Sequence, residues 1–434
     1  MMNKKNYAKI NETLYEEVLE NGLKVYLLPK KDFQKTYGLF STNYGSIDNV
    51  FGYANEELQS VPDGIAHFLE HKLFEKEDGD VFQKFGDQGA SANAFTSFTR
   101  TSYLFSASDR IKENLLTLLD FVQEPYFTPE TVEKEKGIIG QEIQMYQDDP
   151  NWRQFFGILN NLYPKHPLHI DIAGTIESIA EITADDLYRC YETFYHPSNM
   201  TLFIVGDMDP FEVMQWIKDN QSPKTFSPIK EIVRQFPEET SADIIPFASI
   251  QMPVNRTKAV VGIRGFEADL PETAKEQLVF RTAIQLYFQM LLGNTSANYL
   301  SLYQEGIIDD TFGFDFSFDR GFHFADFATD TTNPDLFAET IEQILLNGKE
   351  DSGVTEENLT LLKKKMLGKY FQSLNSLEYI ANQFTQDLFE DLTLFDLPEI
   401  IQSIELTDCL RAGQQFIKKE NFSRFYLEPL TKED

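Results

Sequence analysis

Residues 67–71 constrain this 434-residue chain more than any other stretch, because they read His-Phe-Leu-Glu-His. In an α-helix the positions i and i+4 point the same way and i+3 lies beside them, so His67, Glu70 and His71 share one face. Two imidazoles at this spacing can bind one zinc ion while the carboxylate faces the same point. The alternative is a helix whose histidines only pack and form hydrogen bonds. The chain has only six histidines, so we favour a metal-binding helix.

A catalytic zinc site needs three protein ligands, and a helix downstream offers acidic candidates for the third. Thr128 is suited to the N-cap and Pro129 to the first helical position, and the helix is predicted to continue to about Gln147. Glu135 and Glu142 are seven residues apart, which is two turns, so they share a face. From the residues alone, either glutamate is a candidate ligand or an ordinary solvated charge.

Several motifs between residues 20 and 210 resemble, in the same order, those of the pitrilysin and insulinase family, which includes the mitochondrial processing peptidase. The pentad has the inverted zincin order of residues, and residues 135–142 read Glu-Lys-Gly-Ile-Ile-Gly-Gln-Glu. The other matching stretches are Asn21–Val25 (opening strand), Gly89 with Asn93–Thr96 and Thr101–Tyr103 (active-site strand), and Pro197–Met200 with Val205–Asp207 (close of the first lobe).

The resemblance implies that His67, His71 and Glu142 are zinc ligands, that Glu70 is the catalytic base, and that Glu135 is a supporting carboxylate near the metal. We expect one zinc ion per chain, because the second half of the chain has no histidine pair where this helix would repeat. These roles suit peptide-bond hydrolysis, since zinc lowers the pKa of bound water toward ~7 and a carboxylate beside it can move the proton. We therefore expect a zinc endopeptidase acting on short, unfolded peptides, such as leader or regulatory peptides. The alternatives are a non-catalytic assembly or core subunit and a peptide-binding module.

Residues 90–107 alternate small and aromatic side chains without proline, which predicts a strand whose free edge pairs with an extended peptide. Asn93, Ala94 and Phe95 are the candidate substrate-binding residues, a role that rests on the family resemblance. The alternative for Asn93 is an ordinary polar residue at a strand end.

Two short echoes indicate an internal repeat of about 220 residues. Thr257–Gly262 echoes Thr36–Ser41, and Asn421–Phe425 echoes Asn199–Phe203, at offsets of 257 − 36 = 221 and 421 − 199 = 222. The echoes are weak alone, but the two-lobed architecture of the resembled family supports them. They predict that the second half of the chain repeats the fold of the first.

The predicted fold class is α+β, with two homologous lobes that each contain an antiparallel sheet packed with helices and that together form half of a clam-shell chamber. The first lobe, residues 1–220, carries the zinc site. A proline-spaced polar segment at 221–244 is the predicted linker. The second lobe, residues 245–434, lacks a histidine pair where the metal helix would repeat.

The second lobe departs from the family at the arginine and tyrosine that often hold the substrate backbone. Gln304 stands where the arginine is expected, and Asp309 or Phe312 lies near the position of the tyrosine. We therefore expect a homologous partner subunit to supply this pair across a closed chamber, which makes the assembly a heterodimer. A homodimer is the alternative.

The strongly acidic composition, with a net charge of −31, excludes a broad nucleic-acid surface because phosphates would be repelled. Cys190 and Cys409 lie one in each lobe, which predicts two free thiols and no disulfide framework. The first thirty residues contain no apolar core of a secretory signal, and no run approaches the ~18 apolar residues that span a membrane. We expect a cytoplasmic protein without membrane insertion.

Overall fold

Two large sheets organise the chain over residues 2–386 and 392–430, the part that the computed structural model describes. The strands are β1 Asn3–Tyr7, β2 Glu12–Val18, β3 Lys24–Pro29, β4 Thr36–Thr42, β5 Val50–Tyr53, β6 Gln59–Ser60, β7 Glu75–Lys76, β8 Gly79–Asp80, β9 Ser91–Thr96, β10 Thr101–Ala107, β11 Met200–Gly206, β12 Ile232–Arg234, β13 Phe247–Met252, β14 Thr257–Arg264, β15 Gly313–Asp319, β16 Phe322–Thr331 and β17 Phe422–Pro429. The α-helices are α1 Ile65–Leu73, α2 Val81–Asp87, α3 Ile111–Gln123, α4 Pro129–Gln147, α5 Pro150–Leu162, α6 Ile176–Glu181, α7 Ala184–Phe194, α8 Pro210–Gln221, α9 Ala274–Leu292, α10 Ala297–Gln304, α11 Pro334–Leu346, α12 Glu356–Ser373, α13 Leu377–Gln386, α14 Leu397–Ser403 and α15 Leu406–Phe416.

Five strands of the first sheet have the same topology as the five strands of the second, and β1 and β2 extend the first sheet. The first has the strand order β1-β2-β3-β11-β4-β10-β9, and the second has the order β13-β17-β14-β16-β15. The pairs β3–β11 and β13–β17 are parallel, and the other neighbours in both sheets are antiparallel. The two sequence echoes lie on β4 and β14 and at the starts of β11 and β17. The predicted α+β class with two homologous units is therefore confirmed, with one parallel pair in each sheet.

The outer face of each sheet is covered by a helix from the other half of the chain. Along β11, Leu202 and Ile204 face the core that contains α1 and α3, whereas Phe203 and Val205 face α13. Burial on both faces explains why residues 202–205 of this strand are all apolar. In the same way, α5 from the first half packs across β14 and β17 of the second sheet. Each half keeps a hydrophobic core of its own, and two further hydrophobic clusters join the halves.

The predicted linker runs along the first half of the chain. Its strand β12 pairs with β5, and Arg234 forms an ion pair with Asp48, whose side chain is fully buried. Arg320, in the turn between β15 and β16, binds the same carboxylate through both terminal nitrogens at 2.8 and 2.9 Å. Asp48 thus ties the segment 221–244 and the second half to the first half.

Both cysteines, Cys190 and Cys409, are buried free thiols, as predicted. Burial raises the pKa of each thiol to about 12, so both stay protonated and unreactive at neutral pH. None of the helices in the described ranges has the length and apolar composition needed to cross a lipid bilayer.

Candidate metal centre

Helix α1, which carries the pentad, is positioned at its N-terminus by Gly64. This residue has a φ of +84°, in the left-handed region that glycine adopts without strain. A Cβ at this position would lie 2.4 Å from the carbonyl oxygen of Ala173. Phe68 and Leu69 anchor the helix in the core of the first half. The first turn of α1 is therefore fixed against the loop that precedes α6. The polar residues of the pentad lie on the side of the helix opposite to Phe68 and Leu69.

Replacing Gly64 with alanine should lower the free energy of unfolding of the zinc-free protein by about 2 kcal/mol, because a side chain there combines left-handed strain with a clash. Gly89→Ala is the matched control. Gly89 has a φ of +74°, but nothing lies within 4 Å of the point that a Cβ would occupy, so only the backbone strain is expected. Urea unfolding of both variants measures the difference, and equal losses would contradict the role given to the contact with Ala173.

Helix α4 spans Pro129–Gln147, the range that the sequence predicts, and carries both candidate glutamates. Thr128 caps its N-terminus, since the hydroxyl accepts a hydrogen bond from the backbone N–H three residues later at 3.2 Å. Ile139 is fully buried on the side that packs into the core. Glu135 and Glu142 lie beside Ile139 on the surface of α4, and their carboxylates contact the histidines of α1.

The three predicted zinc ligands converge. The donor atoms of His67, His71 and Glu142 all lie within 4.8 Å of one another. The carboxylate oxygens of Glu142 lie 3.7 Å from His67 Nε2 and 3.6 Å from His71 Nε2. These separations exceed hydrogen-bond length and are close to the roughly 3.3 Å between neighbouring ligands of a tetrahedral zinc ion. The donor set and its spacing fit zinc, and three ligands leave the fourth position to water or substrate.

The two imidazoles have different electrostatic surroundings. Burial, with a smaller contribution from the neighbouring His71, lowers the pKa of His67 to about 3, so His67 is neutral and able to bind a cation. Burial also acts to lower the pKa of His71, but its hydrogen bond to Glu135 and the surrounding carboxylates outweigh burial and raise it. His71 Nδ1 lies 3.0 Å from Glu135 Oε1, which turns Nε2 toward the ligand cluster. His67 Nδ1 is buried and has no equivalent partner among the described residues.

Glu70 lies beside the ligand cluster in a desolvated environment. Burial raises the pKa of its carboxyl to about 7, although a hydrogen bond from Thr96 acts in the opposite direction. Thr96 Oγ1, at the end of β9, donates this bond to Glu70 Oε2 at 2.8 Å. A carboxyl group with a pKa near neutrality is well suited to accept and return a proton. The geometry therefore allows Glu70 to act as a general base.

The stretch 90–107 forms a hairpin, so the prediction of one continuous strand is wrong. The chain reverses at residues 97–100, between β9 and β10. β10 lies inside the sheet, whereas β9 forms one edge of it among the described strands, with β1 at the opposite edge. Asn93, Ala94 and Phe95 lie on β9 and pair with β10 on one side only. The strand that carries the candidate substrate-binding residues is therefore an edge strand, as expected for pairing with a peptide.

The residues at the clamp positions of the second half have other contacts. Gln304 is the last residue of α10 and is exposed. Asp309 forms an ion pair with Arg256, and the ring of Phe312 packs against that of Phe337 at 6.3 Å. Asp309 and Phe312 therefore serve the fold of the second half. That a partner supplies the clamp stays a prediction.

Sequence reasoning did not identify two residues that contact the candidate site. Thr96 holds Glu70, as described above, and the Tyr146 hydroxyl donates a hydrogen bond of 2.8 Å to Glu142 Oε1. Tyr146 follows Glu142 by four residues in one helix, so helical spacing could have identified it. Thr96 lies in the stretch that resembles the active-site strand of the family, but its bond to Glu70 depends on how β9 packs against α1 and has no signal in local spacing.

Comparison with known proteins gives consistent matches along the chain. Residues 54–176 match the family model described as insulinase (peptidase family M16), and residues 181–366 match the model described as peptidase M16 inactive domain. A Bacillus subtilis (strain 168) protein described as uncharacterized zinc protease YmfH is 51% identical over 418 residues, covering 96% of this chain and 97% of the relative. The crystal structure of an M16-like peptidase from Alicyclobacillus acidocaldarius superposes with a TM-score of 0.91 at 36% identity, covering 96% of this chain and 99% of that one. The periplasmic protease PqqL from Escherichia coli shares the fold at 20% identity and a TM-score of 0.71, and the match covers 97% of this chain but 48% of that chain.

Proposed function

Because this chain belongs to the insulinase family, peptidase family M16, we propose that it is a zinc-dependent endopeptidase that hydrolyses short, unfolded peptides, such as leader or regulatory peptides. The observation that carries the proposal is the convergence of His67, His71 and Glu142, with Glu70 beside them. A subunit that served assembly alone, or a module that only bound peptides, would have no use for the desolvated carboxyl group of Glu70 next to two imidazoles and a third ligand arranged for a metal ion. We therefore place both of those alternatives second.

His67, His71 and Glu142 would hold the zinc ion, and Glu135 would keep His71 in the orientation that its Nε2 needs for binding. When bound, zinc polarises the peptide carbonyl and lowers the pKa of water. One oxygen of Glu70 is fixed by Thr96, and we assign the other to proton transfer. Glu70 would take a proton from the attacking water and deliver it to the nitrogen of the leaving amine.

We propose that the substrate binds in an extended conformation along the free edge of β9. Asn93, Ala94 and Phe95 would contact it mainly through their backbone groups, since strand addition uses main-chain hydrogen bonds. This mode tolerates many sequences. It admits only segments that can become extended, which favours unfolded peptides over folded proteins.

We further propose that residues 1–220 and 245–434, joined by 221–244, form half of a closed chamber and that a homologous subunit forms the other half. PqqL, in which this fold accounts for about half of a single chain, supports an assembly of two such units. The contacts of Asp309 and Phe312 within their own half support a partner that supplies the arginine and tyrosine. We favour a heterodimer, and a homodimer is the alternative.

Cleavage of a library of quenched fluorescent peptides tests the function and the partner together. We expect the isolated chain to be weakly active and a homologous subunit that contains the arginine and tyrosine to raise the rate at least about tenfold, because positioning of the substrate dominates such effects. Chelation should abolish cleavage, and equimolar zinc should restore it.

Two other outcomes have distinct meanings. Full activity of the isolated chain, unchanged by the subunit, would contradict the need for a partner. A zinc-loaded chain that cleaves nothing in either condition would favour the assembly role.

A further inference from the structure

Tyr146 contacts the ligand cluster on one side, and on the other side it packs against residues that are connected to helix α1. Its hydroxyl donates to Glu142 Oε1 at 2.8 Å, and that oxygen is the one 3.7 Å from His67 Nε2. The other oxygen of Glu142 lies 3.6 Å from His71 Nε2. The tyrosine therefore contacts one defined oxygen of the carboxylate that we assign as the third ligand.

The ring of Tyr146 is itself held in place. It stacks on the indole of Trp152, the third residue of α5, with ring centroids 4.5 Å apart and an angle of 15° between the planes. The indole N–H donates a hydrogen bond to Asp171. Asp171 accepts a second hydrogen bond, of 2.9 Å, from the backbone N–H of Ala173. The orientation of Tyr146 is thus set by the loop before α6.

The same loop fixes the helix that carries the histidines. The carbonyl oxygen of Ala173 lies against Gly64, where a Cβ would approach to 2.4 Å. The contacts from Glu142 through Tyr146, Trp152 and the loop therefore end at the first turn of α1. They connect the helix that supplies the third ligand to the helix that supplies the first two.

We propose that Tyr146 is a positioning residue for the metal centre, an inference that rests on the proposed zinc peptidase function. Its hydroxyl holds Oε1 of Glu142 and presents Oε2 as the donor atom. A carboxylate on a flexible side chain can rotate, and binding a metal must then fix it. A hydrogen bond that fixes the carboxylate beforehand raises metal affinity, and loss of such an outer contact typically weakens metal binding by about 10- to 100-fold.

Zinc competition with a chromogenic chelator tests this role, using wild type, Tyr146→Phe and Tyr426→Phe. Tyr426 is a matched control, because its hydroxyl also donates to a carboxylate, that of Asp335, at 3.0 Å in the second half of the chain. We expect Tyr146→Phe to bind zinc at least tenfold more weakly than wild type and Tyr426→Phe to bind it as wild type does. The thermal midpoint of zinc-free Tyr146→Phe should match that of zinc-free wild type, since phenylalanine keeps the stack on Trp152.

The possible failures are distinguishable. Equal zinc affinities of wild type and Tyr146→Phe would overturn the positioning role and leave the proposed function intact. A slower kcat with unchanged zinc affinity would also overturn it, because it would assign the hydroxyl to the substrate. A wild type that binds no zinc would overturn the proposed function and this inference with it.

Discussion

Replacing Glu70 with glutamine should abolish peptide cleavage while zinc stays bound. General acid–base catalysis by a positioned carboxylate contributes about 10² to 10⁴ in rate, so we expect kcat to fall by about 10³-fold. The amide oxygen of glutamine can still accept the hydrogen bond from Thr96, so the side chain should keep its place. The neutral amide cannot accept the proton of the attacking water. Rates on a fluorescent peptide and zinc content, both measured on the same preparations, give the result.

The stability of this variant provides a second readout. Burial raises the pKa of Glu70 to about 7 in the metal-free protein, so the folded state disfavours the carboxylate relative to the unfolded chain. Ionisation of Glu70 therefore lowers the free energy of unfolding as pH rises from about 4.5 through 7. Replacement with glutamine removes this loss. At pH 8 the zinc-free variant should be at least as stable as wild type. Glu77→Gln, at an exposed position, is the control for the stability measurement. In the activity measurement, a Glu70→Gln protein that cleaves at the wild-type rate would refute the mechanism.

Substitution of the two glutamates of α4 should lower the affinity for zinc to different extents. Glu142→Gln should lose most of its affinity, because it removes one of three ligands and replaces a carboxylate with a neutral amide. Glu135→Gln should weaken binding by only about tenfold, near the lower end of the range for outer contacts. Its amide oxygen can still accept a hydrogen bond from His71 Nδ1.

Glu133→Gln is the matched control for this pair, because Glu133 lies on the same helix with its side chain 77% exposed and forms an ion pair with Lys136. Its affinity for zinc should equal that of wild type. Chelator competition at one pH measures all three variants. If Glu135→Gln lost zinc and Glu142→Gln retained it, the ligand assignment would have to be reversed.

Local signals were sufficient to predict single helices from the sequence. Helix α4 begins at Pro129 and ends at Gln147, as predicted, because Thr128 and the proline act within one turn of the residues they affect. The three polar residues of the pentad lie on one face for the same reason. Helical spacing needs no information from the rest of the chain.

Contacts between distant elements could not be predicted in this way. The turn at 97–100 contains no glycine, proline or asparagine, and it is supported by a hydrogen bond of 2.7 Å from Thr99 to Asp319, 220 positions later. The exchange of α5 and α13 between the two sheets depends equally on long-range packing. The contact of Glu142 with His67 and His71 is also a long-range contact. Helical spacing could not decide between Glu135 and Glu142 as the third ligand, and the assignment to Glu142 came from the family resemblance.

The most direct test of the central claim is the zinc content per chain of purified wild-type protein, measured by elemental mass spectrometry beside Glu142→Gln prepared in the same way. The measurement needs neither the substrate nor the partner. We predict close to one zinc ion per wild-type chain and little in the variant. Wild-type protein that contains no zinc, even after reconstitution, would contradict the assignment of His67, His71 and Glu142 as a metal centre and the peptidase function built on it.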